Sequence, residues 1–293
     1  MTLKVHNNLA YEEIGEDNNE IILFLHSKIV SNWIWIKQKE KYCKYFKNYH
    51  CIFIDLPHHG KSQFEEEFSI EKSSLRIIDF IMDLINAKND KEKINDFEKI
   101  NSINIVALGL GGSIAIEILN KKPQLIKHLI LSGLEIAPKK EDEGDSIINR
   151  LGKTKAEYLN EKPDQFIVGA YLRYYGIKKD YYDYLEEDLD LPIKKEKEIA
   201  FESFNYIIPK NIKKNKEICE KENILIIYGN KEDLASAYSA IKLKSILKNA
   251  RLMEINKGNH LWNMIDDELF NQIIIGFIEK EKIFNHKRVK IID

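Results

Sequence analysis

The residues whose types and spacing bear most directly on chemistry lie in Ile103-Asn-Ile-Val-Ala-Leu-Gly-Leu-Gly-Gly-Ser-Ile-Ala-Ile-Glu-Ile-Leu119. Ile103 to Leu108 has the length and β-branched content of a buried strand. The run breaks at Gly109-Leu110-Gly111-Gly112, resumes as a helix from Ser113 to Leu119, and stops near Lys121-Lys122-Pro123. A strand, a tight turn of small residues and a helix make a nucleophile elbow, in which Gly-x-Ser-x-Gly holds a serine at the apex. Here the small flanks are Ala107 and Gly111, which puts Gly109 at the apex. The turn is kept and the attacking Oγ is absent. An elbow nucleophile sits at positive φ, which costs a residue with a side chain about 1–3 kcal/mol. Glycine adopts that conformation freely, so Gly109 preserves the fold while removing the attacking atom. The bland alternative is a plain strand-to-helix glycine turn. A dinucleotide fingerprint fits worse, because Ile114 stands where its third glycine belongs and the motif lies mid-chain rather than on the first βα turn.

Other apolar runs must position this turn. Residues 9–15 alternate as an early antiparallel strand, whereas 21–25, 51–55, 128–133, 224–229 and 251–256 read as buried strands. Helical spacing marks 69–87, 234–247 and 267–279, with a charged connection over 88–99. Strands alternating with helices predict an α/β chain with a mainly parallel sheet covered on both faces. Loops at the carboxyl ends of such strands carry function. His26, Asp55, Gly109, Glu232 and His260 fall there. Residues 135–222 break the pattern, being rich in charge and tyrosine and interrupted by Pro163, Pro192 and Pro209. They read as a helical insertion, or cap, between core segments 1–134 and 223–293, with 281–293 a charged C-terminal tail. The basic run 210–221 reads as a solvated helix face.

The chain has 293 residues, 44% hydrophobic and 31% charged, the balance of a globular protein with a sizeable core. A net charge of −2 gives no global field to attract nucleic acid or a membrane surface. The odd set Cys43, Cys51 and Cys219 has no Cys-x-x-Cys spacing and suggests a reducing compartment. With no apolar leader near Met1 and no long apolar run, a cytoplasmic location is expected. His58 and His59 lack further ligands at metal-site spacing, so neither a metal nor another cofactor is expected.

Five motifs in order make the chain resemble the α/β-hydrolase superfamily over essentially its whole length, most closely its small capped esterases, lactonases, peptidases and dehalogenases. Phe24-Leu-His26-Ser27 stands where the family has a strand followed by His-Gly. Asp55-Leu-Pro-His-His-Gly-Lys-Ser62 is similar to its Asp-x-Pro-Gly-His-Gly-x-Ser loop. Ala107-Leu-Gly109-Leu-Gly-Gly occupies the elbow, Tyr228-Gly229-Asn-Lys-Glu232 the acid loop and Gly258-Asn-His260 the histidine loop. The resemblance implies an α/β-hydrolase fold with a helical cap. It also implies His260 as general base, Glu232 as the acid with Asp233 as the fallback, and backbone oxyanion donors at Leu110 and at Ser27 or Lys28. His26 reads instead as a structural histidine bonding the loop backbone.

The departures bear on function. Gly109 replaces the nucleophile, Ala107 and Leu108 replace the usual glycine and the usual histidine or aromatic residue before it, and Ser27 replaces a glycine. The leading expectation is a non-hydrolytic member that binds a small ligand or a protein partner beneath the cap, since losing such a nucleophile costs on the order of 10⁶ in rate. The alternative is a hydrolase of a small ester or amide in which a water fills the space beside Gly109 and is activated by His260 and Glu232. A third reading is a deliberate nucleophile knockout of an ordinary ester hydrolase, against which the changes at Ala107, Leu108 and Ser27 speak for natural drift.

Overall fold

The structure, a computed structural model, describes residues 2–91, 99–136, 172–189, 193–280 and 286–292. Its strands are β1 (Lys4–His6), β2 (Leu9–Ile14), β3 (Ile21–Leu25), β4 (His50–Ile54), β5 (Ile103–Leu108), β6 (Ile126–Ser132), β7 (Ile224–Gly229), β8 (Arg251–Ile255) and β9 (Val289–Ile292). They form one sheet in the order β1-β2-β4-β3-β5-β6-β7-β8-β9. The six strands from β4 to β8 run parallel, while β1, β2 and β9 pair antiparallel at the edges.

Period-2 alternation assigns the central side chains to two cores. Ile21, Leu23 and Leu25 of β3 join one, and Ile22 and Phe24 the other. Helices α1 (Ile70–Lys91) and α2 (Gly109–Lys121) cover the first face, through residues such as Ile77, Ile81, Ile114 and Ile118. The opposite face is covered by the segment bearing Trp35 and Phe46 and by the last helix, Asp267–Lys280, with Phe270 and Phe277. Burial of each such side chain contributes about 1.5–3 kcal/mol. Phe24 stacks on Phe53 with ring centroids 4.7 Å apart, fully buried at the sheet centre. Truncating it to alanine is expected to cost about 3–5 kcal/mol.

Of the expected cap, 137–171 and 190–192 lie outside the described residues. The remainder is helical, with α3 (Tyr182–Leu189), α4 (Ile193–Asn205) and two short turns, Lys210–Lys214 and Lys216–Cys219. Trp33, from the loop after β3, docks α3 by stacking against Tyr181 and Tyr184 and by donating its indole N–H to Asp188 Oδ2 at 2.6 Å.

Two elements differ from the sequence reading. Helix α2 opens at Gly109 itself, four residues earlier than its side chains suggest. Gly109, Gly111 and Gly112 are poor helix formers in isolation, but here the Gly111 N–H donates to His26 O at 3.0 Å and pins the first turn to the β3 loop. At the C-terminus the charged tail adds an antiparallel edge strand, with Val289–Ile292 pairing to β8. Lysine and aspartate around a short apolar pair suit an edge that faces water.

Candidate active site

The site is built at the carboxyl ends of neighbouring parallel strands. β3 leads into His26-Ser27-Lys28, β5 into Gly109, β6 into Gly133, β7 into Glu232 and β8 into His260. The loops are cross-braced: the Lys231 N–H donates to Gly258 O at 2.8 Å, holding the acid loop against the histidine loop.

Glu232 faces the ring of His260, with Oε2 3.1 Å from Nδ1. The carboxylate is held by the Gly229 N–H at 2.7 Å on Oε1 and by the Ser236 hydroxyl at 2.8 Å on Oε2. It is almost fully buried, at 2% side-chain exposure. Asp233 has a different place: it caps the helix α5 (Leu234–Ile246), accepting from the Ser236 N–H at 3.4 Å. Of the two carboxylates, Glu232 is the one in contact with the imidazole.

A carboxylate only accepts, so Nδ1 of His260 carries the proton that it donates to Glu232. In the neutral ring Nε2 is then the acceptor. It lies 2.8 Å from Ser27 Oγ, so the Ser27 hydroxyl donates to it. Serine, histidine and glutamate thus stand in an unbroken hydrogen-bonded line. In the sequence reading Ser27 served only through its backbone N–H; its side chain instead faces His260.

Gly109 has φ +46 and stands directly beside this line. An ideal Cβ there would lie 2.3 Å from Ser27 Oγ and 3.0 Å from His260 Nε2. The Ser27 hydroxyl therefore fills the space in which the side chain of an elbow residue would begin. Water has no need to fill that space, which amends the water-filled picture drawn from the sequence. Leu110, the next residue, stands in the first turn of α2, and Lys28 follows Ser27 with its ammonium paired to Glu135 and 4.2 Å from the centre of the Phe204 ring.

Ser27 is itself held by a built loop. The carboxylate of Asp55 accepts from the Asn32 N–H at 2.8 Å and the Lys61 N–H at 2.9 Å. The Leu56 N–H then donates to His26 Nε2 at 2.8 Å, so Nδ1–H of that ring donates to Ser27 O at 2.7 Å. Complete burial pushes His26 down to about 4, which keeps it a neutral strut.

Gly133 and Ser236 were not legible as site residues. Gly133 has φ +62, and a Cβ on it would lie 2.7 Å from His260 Nδ1 and 3.0 Å from Glu232 Oε2. The one available signal was its position directly after a buried strand. Ser236 lies one helical turn beyond Glu232, a spacing that only a known helix start gives meaning.

A cavity of about 290 Å³ reaches Glu232 and His260, with Tyr175, Lys231, Lys257 and Asn259 on its walls. Asn259 Nδ2 donates to Tyr175 O at 2.7 Å, tying the segment that bears Tyr175 to the histidine loop. Among the described residues no group of three or more His, Cys, Asp or Glu side chains could hold a metal ion, and no helix is long and apolar enough to cross a membrane.

A mainly parallel sheet, an elbow turn after its central strand and an acid–histidine pair on the following loops define the α/β-hydrolase fold, and the chain has that fold. No family model matches the sequence, and no curated protein does. Solved structures match throughout. MenH from S. aureus is 19% identical, with a TM-score of 0.68 over 92% of this chain and 98% of its own. A thermophilic esterase from Thermogutta terrifontis is 17% identical, with a TM-score of 0.66 over 93% of each chain. The meta-cleavage product hydrolase from Pseudomonas fluorescens IP01 is 15% identical, with a TM-score of 0.67 over 94% and 95%.

Proposed function

We propose that this protein is a hydrolase of small acyl compounds, esters or their thioester and amide relatives, with His260 as general base and Glu232 as its orienting acid. The observation that carries the reading is the His260 ring itself, fixed on Glu232 at one nitrogen and engaged with a hydroxyl at the other. A base held within hydrogen-bond reach of the proton it must take is the geometric requirement for general-base catalysis. Backbone N–H groups at the start of α2, Leu110 foremost, and at Lys28 suit the developing oxyanion, since helix geometry leaves the first donors of α2 without intrahelical partners. The cavity beside the dyad suits a small substrate rather than a polymer. Fold neighbours named as esterase and hydrolase agree with this class.

A binding role without turnover is the second reading, favoured by one observation, the missing side chain at Gly109. Hydrolysis of a panel of short- and medium-chain nitrophenyl esters by the protein, beside His260→Ala, separates the two. The hydrolytic reading expects turnover that the variant loses. An inert protein would leave the binding reading in its place, and a His260→Ala variant that turns over as well as the parent would overturn the assignment of His260 as general base.

A further inference from the structure

We infer that Ser27 is the nucleophile: the hydroxyl that the elbow lacks has been supplied from the loop after β3. This rests on the hydrolytic reading above and deepens it by naming the attacking atom and a covalent intermediate.

Three observations converge. Ser27 Oγ donates to the imidazole nitrogen to which a nucleophile must surrender its proton, at 2.8 Å. It lies 2.3 Å from where a Cβ on Gly109 would be, so it occupies the corner from which an elbow side chain would act. Its backbone is clamped by His26 and through it by the 55–62 loop, so the hydroxyl is presented rather than merely placed. The same contacts suit a glycine at residue 109: a Cβ there would force Ser27 Oγ to turn away from its present position against His260. The two departures from the elbow pattern are then one exchange.

The chemistry balances without a cofactor. The Ser27 Oγ–H proton passes to His260 Nε2 as an Oγ lone pair forms a bond to the acyl carbon, and the carbonyl π electrons move to oxygen. The resulting oxyanion faces the N–H of Leu110. Its collapse breaks the bond to the leaving group, which departs with the proton from His260 and leaves an acyl ester on Ser27. Water then gives a proton to His260 and attacks that ester. The second collapse releases the carboxylic acid and returns the proton to Ser27 Oγ. The sum is ester plus water to acid plus alcohol.

The test uses the full chain, a fluorophosphonate probe with peptide mass spectrometry, and nitrophenyl butyrate hydrolysis. The expected adduct lies on Ser27 and is absent from Ser27→Ala and from His260→Ala. Ser27→Ala is expected to lower kcat on the order of 10⁶-fold with an unchanged circular dichroism spectrum. An adduct on a different residue would overturn the assignment, and the label on the parent protein decides this even if the variant folds poorly. Hydrolysis that survives Ser27→Ala but not His260→Ala would also overturn it, while leaving the hydrolytic reading standing with water as the nucleophile. A parent protein that neither labels nor hydrolyses any ester of the panel would remove both.

Discussion

Ser27 and His260, 233 residues apart in the chain, meet through a hydrogen bond of 2.8 Å over the spot that a side chain on Gly109 would fill. The hydroxyl and the elbow turn therefore compete for one corner of the site, and the chain has given that corner to the hydroxyl.

Gly109→Ser alone is expected to gain no activity. The new Cβ would overlap Ser27 Oγ, and a backbone at φ +46 costs a serine about 1–3 kcal/mol. Pairing it with Ser27→Gly clears the corner and returns the hydroxyl to the elbow. The double variant is expected to hydrolyse nitrophenyl butyrate faster than either single one. If Gly109→Ser by itself outperforms the parent, the crowding argument is wrong.

Gly133→Ala is expected to break the dyad from below. Its Cβ would press on both His260 Nδ1 and Glu232 Oε2 at a backbone position with φ +62. A stability loss of about 1–3 kcal/mol in urea unfolding should accompany a fall in kcat much larger than the change in KM. An alanine variant with parental kcat would show that the pair tolerates displacement.

The two neighbouring carboxylates should separate cleanly. Glu232→Gln replaces the acceptor that sets the His260 tautomer, and losses on the order of 10⁴ in kcat follow such a change in a triad. Asp233→Ala removes a helix cap, worth about 1 kcal/mol, and should leave kcat within a few-fold of the parent. Equal losses in the two variants would mean that the assignment of the acid to Glu232 fails.

Stability should depend on pH through two buried groups of opposite sense. His26 titrates at about 4 when folded against an ordinary 6.5, so below pH 6.5 the unfolded chain takes up a proton that the native state refuses. That difference corresponds to about 3 kcal/mol, lost as pH falls from 6.5 through 4. Asp188, buried under Trp33, is pushed up to about 7, so its unfolded form releases a proton first. Its contribution is fully present below pH 3.8 and declines by about 4 kcal/mol as pH rises through 7. Asp188→Asn is accordingly expected to raise the urea midpoint at pH 8 and to change it little at pH 4. A midpoint at pH 8 that falls in this variant would refute the buried-carboxyl argument.

Much of the fold could be read from local pattern. β3 and β7 are apolar runs, and β5 is one but for Asn104, because both of their faces are covered, and that pattern survives in one dimension. The start of α2 was misplaced because glycines carry no helical signal of their own. The strand after residue 288 was hidden because an exposed edge strand needs few apolar residues.

The amino-acid order was enough to read a strand, a glycine turn at residue 109 and a helix, and to place an acid and a histidine in the loops after two later strands. Those facts rest on residue type and spacing along one chain. The destination of the Ser27 hydroxyl was beyond their reach. A glycine gained at one position and lost at another look like two independent substitutions until β3 and β5 are paired side by side. Sheet register brings the two loops together, and the steric exclusion between a Cβ at 109 and an Oγ at 27 makes them one event. That exclusion acts over 2.3 Å in space and 82 residues in sequence, and so becomes visible only once the chain is folded.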